Sequence, residues 1–138
     1  AQLAFDLLNP LDFALIGGLE IGAIPLATSI SDFAFTSRPK REWRTFVVRK
    51  QPKDHGLGKL IEGTFTRGER ALVVDDVLTT GGSLIKATDA ARQQGLEVSH
   101  AFVIVDRSED QNHEPLTQHS LHVHTLLTLD DLKRTVIA

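Results

Sequence analysis

The chemistry of this chain is concentrated in ALVVDDVLTTGGS, which runs from Ala71 to Ser83. Four apolar residues of a predicted strand are followed by two adjacent carboxylates, Asp75 and Asp76, and then by a turn rich in hydroxyl groups and glycine. The backbone amides of residues 79–83, together with the start of the helix that follows, can surround a phosphate. The two carboxylates would repel a phosphate and suit sugar hydroxyls or a magnesium ion instead. The stretch therefore predicts a site for a phosphorylated sugar rather than an ordinary strand-to-helix turn.

A second group of chemically capable residues is cationic and lies in FVVRKQPKDHGLG, residues 46–58. Arg49, Lys50, Lys53 and His55 place up to four cationic groups close together, and two glycines let the segment fold over a ligand. Such a cluster can neutralise a diphosphate leaving group. The alternative interpretation is a charged loop that contacts only solvent.

Two shorter signals lie at the ends of other predicted strands. Residues 16–28, IGGLEIGAIPLAT, place glycines between a strand and a helix, but their spacing fits the dinucleotide fingerprint poorly. Asp106 and Arg107 end the strand HAFVIVDR. Taken alone, they suit an ion pair with each other at the end of the strand.

The elements that must position these groups alternate between strands and helices. We expect strands at 13–16 (leading into a tight turn at Gly17-Gly18), 44–49, 60–66 (a short strand or hairpin), 71–74, 98–105 and 121–127. We expect helices ending near residue 9 and at 25–35, 84–94 and 129–136, and loops at 51–59 and 107–119. The central strands are almost continuously apolar, which is typical of a parallel sheet buried on both faces. The sequence thus predicts an α/β fold, with a mostly parallel, Rossmann-like central sheet flanked by helices on both faces.

Composition narrows the class of protein further. The 138 residues, 41% of them hydrophobic, suit one globular domain spanning residues 1–138. The net charge of -3 argues against charge-driven binding to nucleic acid, and no apolar run is long enough to cross a membrane. The chain has no cysteine, and its first residues lack the basic region of a signal peptide, so we expect a cytoplasmic protein. His119, His122 and His124 are interpreted as surface or hydrogen-bonded histidines rather than metal ligands.

The motif VVDDVLTTGGS resembles the phosphoribosyl pyrophosphate (PRPP) motif of type I phosphoribosyltransferases. The resemblance implies that the acidic pair contacts the ribose hydroxyls, in some members through magnesium, and that the following loop holds the 5-phosphate. The PRPP-binding residues that it implies are Ile21, Gly22, Arg49, Lys50, Lys53, His55, Asp75, Asp76, Val77, Leu78, Thr79, Thr80, Gly81, Gly82 and Ser83.

The cationic segment is similar to the catalytic loop of orotate phosphoribosyltransferases, a flexible lid that reaches the neighbouring subunit's site. This resemblance implies catalytic roles for Lys53, His55, Asp75 and Asp76, and contacts to orotate from Arg107 and Thr79. It also implies Mg²⁺ as cofactor, a homodimer, and the conversion of orotate and PRPP to orotidine 5-monophosphate and pyrophosphate.

The first residues, AQLAFDLLNPLD, do not match the N-terminal hood that covers the base in full orotate enzymes. The sequence is therefore expected to be a short form that lacks this hood, whether a natural homologue or a fragment. Two other functions stay open at this point, a PRPP-binding regulator without turnover and a transferase for another base.

Overall fold

The computed structural model describes residues 1–54 and 59–137. Their six strands, numbered in chain order and bounded below, form one sheet in the order β3-β2-β1-β4-β5-β6. The strands are β1 (Leu15–Leu19), β2 (Arg44–Val48), β3 (Ile61–Glu62), β4 (Arg70–Leu78), β5 (Glu97–Asp106) and β6 (His122–Thr128). The helices are α1 (Gln2–Leu8), α2 (Ala23–Thr36), α3 (Gly82–Gln93), α4 (Glu114–Gln118) and α5 (Leu129–Ile137). All neighbouring strands are parallel except β2 and β3, which are antiparallel.

Both faces of the sheet are buried, which confirms the predicted α/β class. Along β4, Ala71 and Val73 belong to the core cluster that includes residues of α3, whereas Leu72 and Val74 belong to the cluster that includes residues of α1 and α2. Successive side chains of a strand point to opposite faces, so a strand covered on both sides must be apolar at every position. This is why the central strands show no polar alternation.

The predicted turn at Gly17-Gly18 is wrong, because β1 continues through both glycines to Leu19. A Cβ added to Gly17 would lie 2.0 Å from the carbonyl oxygen of Phe46 on β2. A Cβ added to Gly18 would lie 2.3 Å from the carbonyl oxygen of Val74 on β4. The glycines are thus required for the close approach of three strands rather than for a turn.

Two other predicted boundaries differ from the structure. Strand β4 does not end at Val74 but pairs with β5 as far as Leu78, so the acidic pair lies within the last residues of the strand. The predicted loop at 107–119 contains a short 3₁₀ helix, Glu109–Gln111, and α4. Helices this short carry too little hydrophobic periodicity to be recognised from sequence.

The other predicted helices and the strands at 44–49, 98–105 and 121–127 agree with the structure to within a few residues at their ends. The strand or hairpin expected at 60–66 is only the two-residue strand β3, and residues 55–58 of the predicted loop 51–59 lie outside the described residues. Helix α3 begins at Gly82 and is followed by Gly95, whose positive φ of 88° suits the end of a helix. No helix in the described part of the chain is long and apolar enough to cross a membrane.

Candidate active site

The carboxyl ends of β1, β2, β4 and β5 form one edge of the sheet, and the residues that follow these strands make up the candidate site. The chain leaves β1 toward β2 on one side, whereas β4 lies on the other side of β1. This reversal of strand order creates a crevice between the loops after β1 and β4, the usual place for a ligand in such sheets.

The loop after β1 closes directly on the acidic pair. A Cβ added to Gly22 would lie 3.2 Å from Asp75 Oδ1 and 3.4 Å from Asp76 Oδ1. Each carboxylate also accepts a hydrogen bond from the next backbone amide, Asp75 Oδ1 from Asp76 at 2.9 Å and Asp76 Oδ1 from Val77 at 2.9 Å. The structure thus brings Gly22 and the acidic pair together, although 52 residues lie between Gly22 and Asp75 along the chain.

The half-buried position of Asp75 changes its ionisation. Burial and the neighbouring Asp76 carboxyl raise the pKa of Asp75 to about 6, against the opposing effect of the backbone hydrogen bond. A cation or a hydroxyl donor at this point would favour the ionised form.

The acidic pair also suits magnesium, which is usually bound through one or two carboxylates and completed by substrate oxygens. In residues 1–54 and 59–137 there is no group of three or more His, Cys, Asp or Glu that could hold a metal ion. In such a site, Asp75 and Asp76 would be the carboxylate ligands that the protein supplies.

The loop that the sequence predicts to bind a phosphate, residues 79–83, joins β4 to α3 and lines a small pocket of about 50 Å³; it is called the phosphate loop below. Gly81 has a φ of 89°, and a Cβ added to it would lie 2.9 Å from Leu116 Cδ2, so both conformation and packing require glycine here. No acidic residue lies in the first turn of α3 to repel an anion.

Among the implied PRPP-binding residues before the loop, Val77 is partly exposed but Leu78 is buried in the core. Leu78 can therefore reach a ligand only through its backbone.

The cationic segment follows β2 at the same edge. Arg49 pairs with Glu62 on β3, with its Nη2 3.0 Å and its Nε 3.1 Å from Glu62 Oε1. Lys50 and Lys53 are exposed. The predicted catalytic residue His55 lies outside the described residues, as do the two glycines of the segment.

Three residues at the base of this segment were missed by sequence analysis. Glu62 pairs with Arg49, Glu20 Oε1 accepts the Lys50 N–H at 2.7 Å, and Lys86 Nζ donates to the Lys50 carbonyl oxygen at 2.8 Å. Each of these contacts joins different elements, so no local pattern in the sequence indicated them.

Arg107 lies beside the phosphate loop, because its backbone N–H donates to the Leu78 carbonyl oxygen at 2.8 Å. Its side chain is exposed and lines a cleft of about 540 Å³ with residues of β6 and α5. The backbone of Arg107 therefore lies beside the end of β4, which Thr79, the other implied contact to orotate, follows, whereas the cleft that the Arg107 side chain lines does not include Thr79.

The ion pair considered for Asp106 and Arg107 is not present, since Asp106 is buried and bound to other partners. Ser108 donates to Asp106 Oδ1 from its hydroxyl at 2.6 Å and from its backbone at 2.8 Å, and His113 Nε2 lies 2.5 Å from Asp106 Oδ2. Although burial opposes ionisation, these hydrogen bonds hold the pKa of Asp106 below its usual value. Asp106 therefore orders the loop after β5 and leaves Arg107 available for a ligand.

The histidines of β6 meet a residue that the sequence did not single out, His100 on β5. His100 Nδ1 lies 3.0 Å from His124 Nε2, and the rings of His122 and His124 are 4.7 Å apart. Burial and the neighbouring histidines lower the pKa of His124 to about 4. His119 is separate from this group and lies with its Nδ1 2.9 Å from the Pro115 carbonyl oxygen.

The sequence of this chain is similar to that of known proteins. A family model described as "Phosphoribosyl transferase domain" matches residues 13–118. The orotate phosphoribosyltransferase of Pyrococcus abyssi is 38% identical over 122 residues, which are 88% of this chain and 63% of that protein. The enzyme of the same name from Aquifex aeolicus is 40% identical over 129 residues, 93% of this chain and 68% of that protein. The chain thus spans about three fifths of the first of these relatives.

The fold of this chain is also similar to that of a solved orotate phosphoribosyltransferase structure. The crystal structure of Mycobacterium tuberculosis H37Rv orotate phosphoribosyltransferase in complex with PRPP is 35% identical, with a TM-score of 0.78 over 95% of this chain and 72% of that one.

Proposed function

Since the chain belongs to the phosphoribosyltransferase family, we propose that it transfers the phosphoribosyl group of PRPP to orotate, giving orotidine 5-monophosphate and pyrophosphate. The observation that carries this proposal is the meeting of Gly22 with Asp75 and Asp76 beside the phosphate loop. A sugar that bears a phosphate at one end and a diphosphate at the other fits the crevice between the phosphate loop and the loop after β1. The similarity to orotate phosphoribosyltransferases supports orotate as the base.

In the proposed complex, the 5-phosphate accepts hydrogen bonds from the backbone amides of the phosphate loop and from the hydroxyls of Thr79, Thr80 and Ser83. The start of α3 adds a favourable electrostatic contribution. Asp75 and Asp76 accept hydrogen bonds from the ribose hydroxyls, and Ile21 and Gly22 offer backbone groups to the diphosphate.

Transfer then requires the bond between the anomeric carbon and the diphosphate oxygen to break as a ring nitrogen of orotate bonds to that carbon. The electron pair of the broken bond leaves with pyrophosphate, the ring nitrogen loses its proton, which the departing pyrophosphate can accept, and the transition state resembles an oxocarbenium ion. Magnesium bound to PRPP would help to neutralise the departing diphosphate. Lys50 and Lys53, together with His55 and Arg49, are proposed to balance the rest of its charge. The protein contributes mainly by positioning the reactants and placing charge.

Orotate carries a carboxylate, and we propose that Arg107 binds it. A guanidinium group donates two parallel hydrogen bonds to a carboxylate, which a neutral base without such a group cannot accept in the same way. Thr79, beside Arg107 at the ends of β4 and β5, would make the second contact to the base.

The proposal is tested by following orotate absorbance with PRPP and magnesium, and in reverse from orotidine monophosphate and pyrophosphate. We expect turnover in both directions and none in an Asp75→Asn/Asp76→Asn variant. Absence of turnover at high protein concentration, in an assay where a known enzyme works, would contradict the proposal. Saturable PRPP binding without pyrophosphate release for any base would instead indicate a regulator.

We also propose a homodimer in which the cationic segment completes the partner's site, and a cytoplasmic location, with which a cysteine-free sequence is compatible. Mixing the Asp75→Asn/Asp76→Asn variant with Lys53→Ala tests the shared site. Partial recovery of activity in the mixed dimers is the expected result, and no recovery would indicate self-contained sites.

A further inference from the structure

We propose that Glu20 and Lys86 are positioning residues that hold the backbone of Lys50 from two sides. They thereby fix the start of the cationic segment, residues 49–54, relative to the phosphate loop. This inference rests on the proposed function, because it assigns the two residues a role in PRPP binding that they exert through Lys50.

The contacts are two charge-assisted hydrogen bonds to a single residue. Glu20 Oε1 accepts the Lys50 N–H at 2.7 Å, and Lys86 Nζ donates to the Lys50 carbonyl oxygen at 2.8 Å. Bonds in which one partner is ionised are shorter and stronger than neutral ones. The donor and the acceptor of the Lys50 backbone are thus both bound by charged side chains.

The two holding residues come from the two other parts of the candidate site. Glu20 immediately precedes Ile21 and Gly22, and its own N–H donates to the Val48 carbonyl oxygen at 2.8 Å. Lys86 lies on α3, four residues beyond Gly82. Lys50 is therefore the point at which the loop after β1, the end of β2 and the helix after the phosphate loop are joined.

The neighbouring contacts hold the other side of the same chain segment. The Arg49 N–H donates to the Leu60 carbonyl oxygen at 2.7 Å, and the Arg49 guanidinium pairs with Glu62 at 3.0 Å. Residues 49 and 50 are consequently held by β3, by the loop after β1 and by α3. When the backbone of a lysine is fixed in this way, its side chain starts from a fixed position. Less conformational entropy is then lost when its ammonium group binds a diphosphate.

Lys86 is exposed, so its contact is expected to affect position far more than global stability. The test compares Lys86→Met, which keeps the length of the side chain but removes its charge, with Lys86→Arg, which restores a donor. Lys40→Met is the matched control, because it removes one exposed lysine that pairs with Glu42 at 3.0 Å before β2 begins.

The first measurement is the rate of trypsin cleavage after Arg49, Lys50 and Lys53 in the protein without ligand, followed by mass spectrometry. Loss of one charge-assisted hydrogen bond should speed this cleavage about three- to ten-fold in Lys86→Met. Lys86→Arg and Lys40→Met should cleave at the wild-type rate. Equal cleavage rates in Lys86→Met and Lys40→Met would refute the holding role, and this measurement does not depend on any enzymatic activity.

The second measurement is steady-state kinetics, in which the change in the KM for PRPP is compared with the change in kcat. We expect the KM to rise about three- to ten-fold in Lys86→Met, with kcat changed less and with recovery in Lys86→Arg. Faster cleavage together with an unchanged KM would refute the role in PRPP binding. A wild-type protein that neither binds nor turns over PRPP would instead refute the proposed function, while the cleavage rates would still decide whether Lys86 holds Lys50.

Discussion

The acidic pair is expected to reduce the stability of the folded protein at neutral pH, and Asp75→Asn should remove that cost. Burial and the adjacent Asp76 carboxyl raise the pKa of Asp75 from 3.8 to about 6. Between these values the folded protein keeps the proton that the unfolded chain has lost. Stability therefore falls as the pH rises from about 4 to about 6, and the full cost is present above that range.

The size of the effect follows from the difference between the two pKa values. At about 1.4 kcal/mol for each pKa unit, the difference between 3.8 and about 6 would cost about 3 kcal/mol in a fully buried site. Asp75 is only half-buried, so solvent screening reduces the expected cost to on the order of 1 kcal/mol. For a chain of this size, that corresponds to a rise of about 4 °C in Tm for Asp75→Asn at pH 7.5. The asparagine side-chain oxygen can still accept the Asp76 N–H.

Urea unfolding at pH 7.5 and at pH 4 measures this effect, with Asp89→Asn, an exposed carboxylate on α3, as the control. Asp75→Asn should raise the free energy of unfolding by about 1 kcal/mol at pH 7.5 and much less at pH 4. The same substitution should abolish or greatly weaken PRPP binding. A gain of equal size at both pH values, or a loss of stability at pH 7.5, would refute the reasoning.

Other consequences of the structure can be measured in the same way. Arg107→Ala should raise the KM for orotate about ten-fold or more while leaving the KM for PRPP nearly unchanged in steady-state kinetics, and a parallel rise in both would argue against a contact to the base. Gly18→Ala should destabilise the protein by about 2 kcal/mol or more in urea unfolding, because its Cβ would lie 2.3 Å from the Val74 carbonyl oxygen. Gly82→Ala, whose nearest neighbouring atom would be 3.8 Å away, should change stability by less than about 0.5 kcal/mol, and equal effects of the two substitutions would contradict this packing. The pKa of His124 is lowered to about 4, so the stability present above pH 6.5 should be lost as the pH falls toward 4, and His124→Gln should lessen that loss in unfolding titrations.

Much of the site could be predicted from the sequence because its parts are contiguous. The carboxylates at 75 and 76 and the glycines and hydroxyls at 79–83 form a single strand-turn-helix unit, and their order alone indicates a phosphorylated sugar. The apolar runs at 71–74 and 98–105 likewise predicted a sheet buried on both faces.

The sequence was less informative wherever one strand constrains another. Gly17 and Gly18 have the residue type of a turn, but the close approach of β2 and β4 makes them part of a strand. The pairing of β4 with β5 likewise extends the central strand through the acidic pair to Leu78. Both outcomes depend on strand order and register, which local residue patterns do not specify.

The sequence by itself determined the kinds of chemical groups present and the elements that carry them, because side-chain type and hydrophobic period are local properties. Only the tertiary structure decided which distant groups meet. It placed Gly22 against the carboxylates and joined Glu20 and Lys86 to Lys50. The physical reason is that each of these contacts joins separate elements, and its existence depends on how the strands are ordered along the carboxyl edge of the sheet.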